Sequence, residues 1–80
     1  ADEAGYLLGA AFASINLAEL SLRRGDNAVA LERALAAERG LDALGSNDQR
    51  GEVLRILTEA QLAQGHFEDA AATARRAASS

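Results

Sequence analysis

Apolar positions recur along this chain at steps of three and four residues in four successive runs, each closed by glycine and small polar residues. That spacing puts them on one side of a 3.6-residue helix. The first run, Leu8, Phe12, Ile15, Ala18 and Leu22, is widened by Ala11, Leu17 and Leu20, which predicts a helix buried on more than one side. The second run sets Val29, Leu31, Ala34, Leu35, Ala37, Leu41 and Leu44 against a polar side of Glu32, Arg33, Glu38, Arg39 and Asp42. The third carries Val53, Leu54, Ile56, Leu57, Ala60, Leu62 and Ala63. In the fourth, Phe67, Ala70, Ala71, Ala74, Ala77 and Ala78 make a small-residue face that admits a close neighbour but buries little area per residue.

The breaks between runs carry turn chemistry: Gly25-Asp26-Asn27, Gly45-Ser46-Asn47-Asp48 and Gly65-His66. They predict helices over 3–24, 28–44, 48–64 and 67–78. Gly25, Gly45 and Gly65 each follow a helical run, where a left-handed residue is needed. Asp26 or Asn27 is expected to cap the second helix, and Asn47 or Asp48 the third. Gly40 and Gly51 fall inside helical patterns, at a cost of about 1 kcal/mol each relative to Ala. A weak point is therefore expected near Gly40, while Gly5 and Gly9 are expected where another backbone comes close.

Composition agrees with an all-α chain. The 49% apolar fraction is mostly Ala and Leu, which favour helix, and β-branched residues are too few to build a sheet. There is no Cys, so neither disulfides nor thiolate metal sites contribute. The net charge is −4, every basic residue is Arg, and the only basic clusters are the pairs Arg23-Arg24 and Arg75-Arg76. Such pairs suit helix C-termini and do not make a polyanion-binding surface, so no nucleic-acid partner is expected. The most hydrophobic window, 7–22, is interrupted by Asn16 and Glu19, so no membrane span is expected. It also lacks a basic leader and a cleavage site, and the expected location is cytoplasmic.

Sliding the chain forty positions against itself aligns Leu17 with Leu57, Glu19 with Glu59, Leu22 with Leu62 and Gly25 with Gly65. It also aligns Ala30 with Ala70, Ala34 with Ala74 and Ala37 with Ala77. Matches at apolar, small and turn positions are what two copies of one helical hairpin produce. Within the second copy, Leu57-Thr58 is followed by Gly65, Phe67, Ala70, Ala74 and Ala77. This order resembles the tetratricopeptide repeat, with Thr58 at the small position of the first helix. The first copy keeps the small residues but has Asn27 where an aromatic is usual, and neither copy has the closing proline. The forty-residue period is similar to the longer repeats of bacterial regulators and signal-transduction ATPases.

The resemblance implies a single domain over 1–80 of two antiparallel helix–turn–helix repeats, about 8–45 and 48–78, in a short right-handed stack of four helices. Two repeats are fewer than such stacks usually need, and the chain opens on Ala, so a fragment of a larger repeat protein is expected. The resemblance also implies a protein or peptide partner lying in a groove between the first and third helices. By position that groove takes Phe12, Ile15, Asn16, Glu19 and Arg23 from one repeat and Glu52, Arg55, Glu59 and Leu62 from the other. Glu19 and Glu59 would meet a basic or amide-rich segment; alternatively, Glu59 pairs with Arg55 on its own helix. Carboxylates at these places do not suit a partner's terminal carboxylate. The alternative function is structural, with exposed apolar ends buried in a homodimer.

No catalytic, cofactor or metal residue is expected. The one His, His66, lies in a turn, and no glycine-rich loop with Lys offers a phosphate cradle.

Overall fold

The computed structural model describes residues 3–45 and 48–79, and over these the chain is all-α. Its helices are α1 (Glu3–Arg24), α2 (Asn27–Leu44), α3 (Arg50–Ala63) and α4 (Phe67–Ser79). The chain reverses through the two-residue turn Gly25-Asp26 and the three-residue turn Gln64-Gly65-His66, so α1 folds back on α2, and α3 on α4.

Helix ends follow the glycines. Gly25, Gly45 and Gly65 have φ of 82°, 67° and 78°, the left-handed conformation that only glycine adopts without strain. After α1, the Asp26 N–H donates to the Ser21 carbonyl at 2.8 Å and the Gly25 N–H to that of Leu22 at 3.2 Å. After α3, the His66 N–H donates to Gln61 at 2.8 Å and the Gly65 N–H to Leu62 at 3.0 Å. Both are Schellman turns. The helices that follow open alike too: the Ala30 N–H reaches the Asp26 carbonyl at 3.0 Å, and the Ala70 N–H that of His66 at 2.9 Å. The forty-residue repeat in the residues is thus also a repeat of backbone hydrogen bonding.

Helix starts differ from expectation. Asp26 is the N-cap of α2, but its side chain makes no capping hydrogen bond. α3 starts at Arg50 with Gln49 as N-cap, again without a side-chain cap; Asp48 lies in the preceding turn, and Asn47 falls outside the described residues. At both starts the N-cap contributes its backbone carbonyl, Asp26 accepting from the Ala30 N–H at 3.0 Å and Gln49 from the Val53 N–H at 3.1 Å.

Each helix packs on its chain neighbour, and α3 also touches α1. The result is a thin slab of 41 × 29 × 13 Å. Its core joins Ala11, Ile15 and Ala18 of α1, Ala34, Ala37 and Leu41 of α2, and Val53, Leu54, Ile56 and Leu57 of α3, with Leu22 and Leu31 at the margin. Alanines on α1 and α2 let α3 sit close, and its larger side chains fill the space between them.

Because the slab is thin, several apolar residues expected inside are exposed. Leu17 and Leu20 face outward on α1, since no described element lies on that side. Val29 and Leu35 of α2 are exposed while Glu38, expected on the polar side, is buried. α4 packs through Ala70 and Thr73, leaving Phe67, Ala71, Ala74, Ala77 and Ala78 exposed. The Thr73 hydroxyl lies 2.7 Å from Gln61 Oε1 and 2.9 Å from the Asp69 carbonyl, so it satisfies a buried amide across α3 and α4. α2 runs unbroken through Gly40, where an added Cβ would meet the Ala11 Cβ at 3.4 Å. Gly40 is thus a place of close approach to α1. Gly9, where such an approach was expected, has nothing within 4 Å of an added Cβ.

Candidate functional site

α1 and α3 lie side by side, and their exposed flanks form one surface. On α1 it carries Phe12, Asn16, Glu19 and Arg23 at three- and four-residue steps, and on α3 Glu52, Arg55, Glu59 and Leu62. All eight keep partial or full exposure. Ile15, expected with them, is buried in the core because its step along α1 turns it toward α2 and α3.

Arg55 is the centre of this surface. Its guanidinium donates to Glu52, one turn before it, and to Glu59, one turn after it, the latter at 2.9 Å. It also comes within 4.0 Å of Glu19 on α1, which accepts a 2.8 Å hydrogen bond from Arg23. The Glu59–Arg55 pairing weighed from the sequence is therefore formed, and Glu19 pairs within its own helix as well. The Arg55 bond holds the Glu52 carboxyl below the usual carboxylate range, and the same bond pushes the Arg55 guanidinium further up. Two arginines among three glutamates leave the cluster with one negative charge in excess. Exposed pairs of this kind contribute little to stability, so the cluster can re-pair with an incoming group at low cost.

A second ionic cluster escaped the sequence. Glu38 of α2 accepts a 2.8 Å hydrogen bond from Arg76 of α4 and lies 3.8 Å from Arg50 at the start of α3, which also bonds Asp42. The Asp42 bond pushes the Arg50 guanidinium up. These partners stand at separations that no helical periodicity links, so no local pattern signals them. The Glu38 carboxylate is largely buried and ties three helices together, which makes it a structural cluster.

Elsewhere, a depression of about 320 Å³ opens at the α3–α4 turn, lined by the consecutive residues Gly65 to Asp69. His66 and Phe67 stand exposed there. Among the described residues no three His, Cys, Asp or Glu side chains are placed to hold a metal ion. By length and composition alone Gly5–Arg24 is apolar enough to cross a membrane, with a mean hydropathy of 1.3. The interruptions at Asn16 and Glu19 do not bring the average down far enough to fail that test. Ala11, Ile15 and Ala18 of this helix are buried against the other helices, while 17% of its apolar window as a whole is buried.

A scan against protein-family models finds no match for this chain, and searches of curated proteins and of solved structures find none either.

Proposed function

We propose that this chain is a tetratricopeptide-like protein-interaction module that binds a partner segment along the surface shared by α1 and α3. The observation that carries this is the junction at Arg55. One guanidinium serves carboxylates of both helices, so the two flanks act as one surface with an acidic surplus, bordered by exposed Phe12 and Leu62. A surface of that make-up suits an amphipathic helix or extended segment with basic residues on one side and an apolar anchor on the other. The congruent Schellman turns and the spacing of small residues support the repeat family, and a cytoplasmic location accompanies it.

The test is titration of the labelled chain with a synthetic amphipathic peptide bearing Arg and Lys, followed by amide chemical shifts. Shifts centred on Phe12, Asn16, Glu19, Arg55 and Glu59, weakened by Glu19→Ala with Glu59→Ala at unchanged helicity, are expected. Equal response to the same peptide with Glu in place of its basic residues would remove this surface as the binding face. A structural, self-associating role is the second reading, favoured by the exposed apolar side of α1.

A further inference from the structure

Comparing each residue with its equivalent forty positions on separates two kinds of packing position. Ala30 and Ala70 are buried in both hairpins, so they serve contacts within a hairpin. Leu17 and Leu57 are the same residue at equivalent places, yet Leu17 is 46% exposed and Leu57 is 0% exposed. Leu20 is 43% exposed, and its equivalent, Ala60, is 0% exposed. The difference is that the first hairpin lies on α3, and no described element lies on the corresponding side of α1. The opposite side runs in reverse. Leu22 packs against the core and Ala34 is 1% exposed, whereas their equivalents Leu62, at 49%, and Ala74 are exposed. The two ends of the slab therefore carry, uncovered, both halves of the interface that joins its own hairpins.

We infer that this chain associates head to tail with further copies of itself, the Leu62 and Ala74 face of one copy seating on the Leu17 and Leu20 side of α1 in the next. The α1 side is built as a helix-packing seam: Tyr6, Ala10, Ala13, Leu17 and Leu20 follow one another at alternating steps of four and three, and all are exposed. A second copy fits it better than a foreign partner does, because Leu17, Leu22 and Ala34 recur as Leu57, Leu62 and Ala74. The surfaces that would meet are related by the forty-residue repeat to surfaces already fitted to each other inside the chain, with Leu17 and Leu57 the identical pair among the α3 core positions. Four replacements make the new contact more polar: Ser14 and Asn16 stand where α3 buries Leu54 and Ile56, and Arg55 and Thr58 where α1 buries Ile15 and Ala18. Association is accordingly weaker than the internal packing and depends on concentration. It uses a different surface at each end, so it extends past a pair unless rotation closes a ring. It shares Asn16, Arg55 and Leu62 with the proposed groove, but Leu17 and Ala74, which the test alters, lie outside that groove, so the failure of one proposal is distinguishable from the failure of the other.

The test is sedimentation velocity over a wide concentration range, with helicity followed by circular dichroism. Masses that climb beyond a dimer are expected for the unaltered chain. Leu17→Glu disables one face and Ala74→Glu the other; each variant alone is expected to stay monomeric, and an equimolar mixture to form a one-to-one pair. Should either charge lower the helical signal, Leu17→Ala serves instead and weakens association by about tenfold or more. A monomer at every concentration would overturn the inference. So would a dimer abolished by Leu17→Glu but untouched by Ala74→Glu, since that pattern means two α1 helices facing each other.

Discussion

Glu38 and Arg76, thirty-eight residues apart, are joined by a 2.8 Å hydrogen bond between α2 and α4, helices whose backbones do not otherwise pack together. The carboxylate is largely buried, so its removal takes away a charge-assisted bond and its loss is felt at the far end of the fold. Glu38→Ala is expected to destabilise the chain by about 1–3 kcal/mol. Urea denaturation measures the change, and faster hydrogen exchange at α4 amides than at α1 amides locates it. An equal change throughout would mean that Glu38 acts only within α2.

Leu57 and Leu17 offer a matched pair for the stacking direction. Leu57→Ala empties a fully buried site and should cost about 2–5 kcal/mol. Leu17→Ala, at a half-exposed site of the same repeat position, should cost well under about 1 kcal/mol in dilute solution. Chemical denaturation of both at low concentration decides it, and comparable losses would mean that α1 is covered in solution.

Glycines divide by backbone geometry. Gly51 lies in the first turn of α3 with nothing within 4 Å of an added Cβ. Gly51→Ala is therefore expected to stabilise by up to about 1 kcal/mol, a rise in Tm of roughly 4–8 °C for a chain of this size. Gly45→Ala forces a side chain into φ of 67° and is expected to lower Tm. Thermal melts that move the two variants in the same direction would contradict this.

Glu52 contributes to acid sensitivity. Its folded pKa is depressed, chiefly by the bond from Arg55. The stability this contributes is present above the unfolded carboxylate value, about 4.3, and is lost as pH falls through the lower folded value. Glu52→Gln should flatten the acid limb of a stability–pH curve without altering it near neutrality, measured as the urea midpoint at successive pH values. An acid limb identical to that of the unaltered chain would mean the pair is not formed in solution.

Helix number and helix ends were legible because Gly25, Gly45 and Gly65 act locally: a left-handed residue stops a helix whatever surrounds it. The starts were less so, since Asp26 and Gln49 make no side-chain caps. Periodicity also shows which residues share a side and not which side has a neighbour. Leu17, Leu20, Val29 and Ala74 share apolar sides that nothing described covers, while Ile15 turned out to be core and not groove. Glu38 looked like a solvent residue of α2 because the arginines that meet it come from α3 and α4. Of the groove, the intrahelical pairs Glu19–Arg23 and Arg55–Glu59 were readable from their four-residue spacing. The approach of Arg55 to Glu19 depends on how two hairpins stack, which no local pattern encodes.

The order of packing carries a consequence for how the chain is made. Helices meet mainly their immediate successors, so little entropy is spent closing long loops, and such low contact order belongs with folding in microseconds to milliseconds. During synthesis α1 and α2 are complete before α3 begins, but the core they share with Val53, Leu54, Ile56 and Leu57 closes only when α3 arrives. A nascent chain would hold α1 and α2 as a loose hairpin and lock only once α3 has left the ribosome, so a stall before that point would leave the adhesive face of the hairpin bare.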